Sequence, residues 1–154
     1  MYRLLANPKY LEPLRQEIEA AIAEEGWTKA GMDRLHKLDS FLRETIRMDT
    51  TGIGLLDFLN TSLLLITVLQ VILYRLALRP FTFSNGVTIP AGTLITAPSS
   101  AIHMDEGIYS NPEQFDGFRF SNARDMDEDF TTTRYSAVSA SPEHLGFGVG
   151  RHAW

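Results

Sequence analysis

The sequence predicts an α+β fold, mainly helical, with a small antiparallel sheet and a coil-rich C-terminal part. Apolar residues recur at helical intervals over 8–25 and again over 35–46. An alternating apolar and polar stretch surrounds Asn85 and Gly86, and neither period continues beyond residue 115. The 154 residues make one ordinary domain by length, and 44% hydrophobic with 21% charged residues is the composition of a globular chain. A formal net charge of -5 with a pI of about 5.3 excludes the broad basic surface that a nucleic-acid partner requires. The chain has no cysteine, which removes disulfides, zinc-thiolate and iron-sulfur sites and thiol nucleophiles together.

In the first helix, Leu11, Leu14, Ile18 and Ile22 form the apolar stripe, and Glu12, Arg15, Glu17, Glu19 and Glu24 take the other faces. Asn7 and Pro8 are the expected cap and first helical residue, and Gly26 the expected stop. A second helix carries Leu35, Leu38, Leu42 and Ile46; it starts near Met32 or at Asp39 and ends before Thr50, Thr51 and Gly52. No residue from 58 to 74 is charged, and 63–69 is apolar apart from Thr67. This run reads as a buried or interfacial helix, or as a short span, since crossing a bilayer takes about 17 to 25 residues. Asn60, Thr61, Ser62 and Gln70 weaken the span.

Beyond Arg79 the period changes, and 81–89 forms a hairpin around Asn85 and Gly86. Pro90, Ala91 and Gly92 make a second turn, and 93–97 is a further strand. Short helical turns are expected at 101–105 and 112–115, then a long irregular segment in which the acidic run 125–129 is a solvated loop. Residues 1–7 lack the basic and apolar regions of a signal peptide.

Glu44 and Arg47 share one face of the second helix, roughly opposite Leu38, Leu42 and Ile46. On spacing alone they are a surface ion pair worth about 0 to 1 kcal/mol. Likewise, Phe147, Gly148, Val149 and Gly150 alone are a glycine-rich turn. The order of features points further, because Glu44 and Arg47 are followed by the hairpin, by Phe118, Arg119 and Phe120, and then by 147–153.

In that order the chain resembles the cytochrome P-450 family, the haem-thiolate monooxygenases, and its fungal membrane-bound members in particular. Residues 38–47 resemble the family's K helix with its Glu-x-x-Arg motif, and 81–93 resemble its sheet region. Residues 101–105 and 111–120 are similar to the segment ending in the Pro-x-Arg-Phe motif, and 147–153 to the Phe-x-x-Gly-x-Arg-x-Cys haem loop. The resemblance implies that Glu44, Arg47 and Arg119 form a buried ion network that locks the K helix to the loop before the haem. It places Arg75 and His152 toward haem propionates and Phe147 near the axial ligand, with Gly148 and Gly150 admitting the porphyrin. It implies haem b as cofactor, and a reaction that inserts one atom of dioxygen into a small lipophilic substrate. It also implies an NADPH-dependent reductase as partner and a membrane-associated location on the cytoplasmic face of the endoplasmic reticulum.

One departure is decisive for chemistry. The motif's axial cysteine falls at position 154, which is Trp154, and an indole donates hydrogen bonds but cannot ligate iron as a thiolate does. No metal ligand and no catalytic residue are therefore assigned, and neither competent haem binding nor activity is expected of this chain. The resemblance implies a fragment, 1–154, running from the J and K helices to the haem loop, without the I helix, the membrane anchor or the helix after the cysteine. About 20 residues at 55–74 interrupt it, longer than ordinary connections. Translated non-coding sequence explains both departures, because cysteine and tryptophan codons differ only in their third base. The alternative is a non-enzymatic membrane-associated or interaction protein that uses 58–74. In either case, helices without their natural partners expose apolar faces.

Overall fold

The computed structural model describes residues 2–49, 71–127 and 134–150. Along the chain run α1 (Tyr2–Ala6), a 3₁₀ turn (Pro8–Tyr10), α2 (Leu11–Glu25), α3 (Lys29–Asp33) and α4 (His36–Met48). They are followed by β1 (Val71–Leu76), β2 (Phe81–Thr82), β3 (Thr88–Ile89), β4 (Leu94–Pro98), α5 (Ser99–His103) and α6 (Arg119–Met126). The chain divides into two compact units, Met1–Asp49 with Asn111–Ser139, and Thr50–Ser110 with Ala140–Trp154.

In the first unit, α2 stops where expected: Gly26 takes φ +65°, and its amide bonds the Ile22 carbonyl at 2.9 Å. Asn7 does not cap the 3₁₀ turn with its side chain. Its side-chain amide donates to the Arg3 carbonyl at 2.9 Å and closes α1 instead. Helix α4 begins at His36, between the two starts the periodicity allows, because its cap comes from another helix. The Glu17 carboxylate on α2 accepts the Lys37 and Leu38 amides at 2.7 and 2.9 Å, satisfying first-turn donors that the cap residue Leu35 cannot.

Tyr10, Leu14 and Phe41 form the buried core of this unit, with Leu4, Leu38, Phe115 and Phe118 packed against them. The rings meet edge to face, with Tyr10 and Phe118 centroids 4.9 Å apart and Phe41 and Phe115 centroids 5.3 Å apart. The buried face of α4 is wider than the leucine stripe. Leu35 is buried and Leu38 packs on the core, but Ser40, Phe41, Arg43, Glu44 and Arg47 are buried too, whereas Leu42 is 48% exposed. The stripe is an incomplete guide because the polar groups on the other face find partners inside the unit.

Two further expectations fail in this unit. Residues 112–115 are not helical: Asn111 takes φ +47°, and the Gln114 amide bonds its carbonyl at 3.0 Å, which makes a turn. The segment expected to be irregular contains α6, so Asp125 is helical and not part of a solvated loop, while 128 and 129 lie outside the described residues. Tertiary contacts form this helix. The Ser40 hydroxyl accepts the Phe120 amide at 3.0 Å, and the Arg43 guanidinium lies 4.8 Å from the Phe120 ring centre.

In the second unit, β1 and β4 pair antiparallel, with Arg75 opposite Ile95, Leu76 opposite Leu94 and an irregularity between Val71 and Leu73. The end of the apolar run, Val71 to Tyr74, is thus strand and not the helix or span expected of it, because β4 supplies a pairing edge and most of these residues are β-branched or aromatic. The rest of that run lies outside the described residues. The hairpin forms as read, with Phe81 opposite Ile89 and Thr82 opposite Thr88. Gly86, at φ +85°, makes the reversal, with the Phe83 amide on the Val87 carbonyl at 2.9 Å. Helix α5 stands close to the turn expected at 101–105.

Candidate functional site

The ion network assembles within the first unit. Helix α4 sets Glu44 and Arg47 one turn apart, so Arg47 Nε and Nη2 donate to the two Glu44 carboxylate oxygens, each at 2.8 Å. Arg119, at the start of α6, brings Nε within 3.2 Å of both oxygens, and the Asp116 amide adds a bond of 3.1 Å. Glu44 and Arg47 are fully buried, and the Arg119 side chain is 14% exposed. They are not the surface pair that spacing alone suggests.

Two cations share one anion here, and main-chain carbonyls take up the surplus charge. Arg47 Nη2 donates to the Pro112 carbonyl at 2.8 Å, and Arg119 Nη2 donates to Gln114 and Asn111 carbonyls at 3.0 and 3.3 Å. These donors all point at protein acceptors, so the arrangement ties α4 to the turn at 111–116 and to α6. Just past the same C-terminal end of α4, Arg3 forks onto Asp49 at 2.7 and 2.5 Å, a hydrogen-bonded pairing that raises the Arg3 pKa further. A cavity of about 360 Å³, whose lining includes His36, Asp39 and Arg124, contains none of the predicted site residues.

The other candidates fall in the second unit. Arg75 is exposed on β1 opposite Ile95. Phe147 is half-buried, and the loop around it is closed by the Gly148 amide on the Leu145 carbonyl at 3.0 Å. Gly148 and Gly150 take φ of +82° and +75°, the left-handed region that glycine enters without strain. A Cβ at Gly150 would meet no described atom within 4 Å. His152 and Trp154 lie outside the described residues. Sequence reading missed His103 and His144, two fully buried histidines in this unit with ring centres 5.3 Å apart. Nothing in their spacing signals the contact.

The donor set does not fit the centre of a thiolate-bound haem. The chain holds no cysteine. Among the described residues no group of three His, Cys, Asp or Glu side chains could hold a metal ion.

Residues 59–153 match the family model for cytochrome P-450. Cytochrome P-450 monooxygenase 151 of Postia placenta is 41% identical over 99% of this chain, and paxQ of Penicillium paxilli, also named a cytochrome P-450 monooxygenase, is 37% identical over the same share. The chain spans 27% and 26% of their lengths. A zebrafish cytochrome P-450 structure with abiraterone superposes on 98% of this chain and 29% of its own, with a TM-score of 0.63 at 20% identity, and so shares the fold. With a buried Glu-x-x-Arg network, a left-handed glycine loop and a family match over most of its length, the chain belongs to the cytochrome P-450 family.

Proposed function

We propose that this chain is the C-terminal part of a haem-dependent monooxygenase, an oxidoreductase of paired donors that incorporates molecular oxygen. The reading that goes with it is a small lipophilic substrate, electrons from an NADPH-dependent reductase and attachment to the cytoplasmic face of the endoplasmic reticulum. The observation that carries it is the order of two structures along one chain. A buried Glu44–Arg47–Arg119 network is followed by a loop whose Gly148 and Gly150 are left-handed, and Arg119 and the loop glycines fall within the family match over 59–153. Arg75, Phe147, Gly148, Gly150 and His152 are the haem-side residues of this proposal, and Glu44, Arg47 and Arg119 its structural ones.

The chain as it stands has Trp154 at the ligand position and is not a competent thiolate-haem centre in this reading. Expressing the chain with haem, reducing it and adding carbon monoxide tests this. No absorption of the thiolate-ligated type is expected, and its appearance overturns the reading that this chain is not a competent centre.

The interruption of this proposal is the stretch at about 55–74, of which Val71 to Tyr74 belong to β1. If this stretch is translated non-coding sequence, the spliced transcript lacks its codons and encodes cysteine at the position of Trp154. A transcript that retains both the stretch and the tryptophan codon refutes it. The competing reading, a membrane-associated or interaction protein using 58–74, loses four of its apolar positions to β1, and 58–70 lie outside the described residues.

A further inference from the structure

We infer that His103 is a positioning residue for the glycine loop. His103 ends α5 and is fully buried. The Leu145 amide donates to its Nε2 at 3.0 Å. An amide N–H can only donate, so Nε2 carries no proton and the ring is held neutral with its proton on Nδ1. Next to this bond the Tyr109 hydroxyl donates to the Glu143 carbonyl at 2.8 Å. The chain from 99 to 109 thus grips the loop at two main-chain groups two residues apart. The His144 ring, 5.3 Å from that of His103 and tilted by 30°, belongs to the residue between the grips.

What the grip sets is the start of the glycine loop. Leu145 is 3% exposed, and its carbonyl accepts the Gly148 amide at 3.0 Å, so the amide held by His103 and the carbonyl that fixes Gly148 belong to one residue. Moving Leu145 moves Phe147 and Gly148 with it. That this placement serves a haem rests on the monooxygenase reading; the grip itself does not.

Amide hydrogen exchange on the full-length chain tests the inference without haem. In His103→Phe the acceptor is gone, and Leu145 and Gly148 are expected to exchange about tenfold faster or more, the cost of a buried donor left unmade. The Phe120 and Ala137 amides, bonded to Ser40 and Asp39 in the other unit, keep their rates. In His103→Gln a side-chain oxygen again reaches the Leu145 amide, and most of the protection returns. Unchanged exchange at Leu145 in His103→Phe overturns the inference, as does a glutamine variant no better protected than the phenylalanine one. Should His103→Phe lose protection throughout, the nitrogen spectrum of the wild-type ring decides. A neutral ring protonated on Nδ1 supports the grip, and a proton on Nε2 refutes it. A failed haem experiment leaves all of these readouts standing.

Discussion

Glu44 holds one negative charge between two guanidinium groups, and both of its oxygens bond each arginine. Replacing it by glutamine keeps the shape but turns one oxygen into an amino group that points its own hydrogens at arginine donors. Two cations then remain at a buried site with no anion. We expect Glu44→Gln to destabilise the first unit by about 3 to 5 kcal/mol, the usual result of removing one partner from a buried ionic cluster. Urea unfolding followed by tyrosine fluorescence measures it as a lower midpoint at unchanged slope. A midpoint within experimental error of wild type contradicts the buried network. Sequence alone did not show this site's depth. The spacing of Glu44 and Arg47 is that of any surface pair, and Arg119 reaches them from a distant part of the chain. The family pattern supplied the third member, and His103 and His144 had no such guide.

At the scale of elements, what proved legible was what local chemistry decides. Gly26 ends α2 and Gly86 turns the hairpin because a positive φ is required at each, a property of single residues in short context. Helices α2 and α4 follow their periodicity in extent. What stayed hidden depends on partners: the start of α4 is set by Glu17, α6 is anchored by Ser40, and the strand at Val71 exists because β4 lies beside it. The junction where α4, the 3₁₀ turn and the 111–118 segment meet gives a prediction. A Cβ on Gly117 would lie 2.6 Å from Cδ2 of Phe41 and 3.2 Å from Cε1 of Tyr10. No flexible chain end is there to yield, only two buried rings. Gly117→Ala is therefore expected to cost about 1 to 3 kcal/mol, typical of overpacking, although alanine is otherwise the less costly residue to order. Thermal unfolding by circular dichroism checks it, and an equal or higher midpoint would sink the packing described for this junction.

For the whole molecule the surface is the informative feature. In the first unit Tyr2, Leu5, Trp27 and Met126 are 89%, 74%, 77% and 84% exposed; in the second, Leu78 and Leu94 are 83% and 61% exposed. Large apolar side chains left in water are usual as single residues, but here they recur on both units, beside a half-exposed Leu42 on the helix that carries the ion network. The core of the first unit is small, built around Tyr10, Leu14 and Phe41. Little buried area therefore opposes the gain from covering the exposed residues by association. The net charge of -5 adds some repulsion between copies, which salt screens within about 10 Å at 0.1 M. The chain by itself is accordingly expected to bind a hydrophobic dye in its folded state and to form larger species as salt is raised. Size-exclusion chromatography with light scattering at low and high ionic strength, with dye fluorescence alongside, tracks both. A monomer at every salt concentration, with no dye enhancement, would mean that these exposed residues do not act as sticky surface and that so small a core suffices.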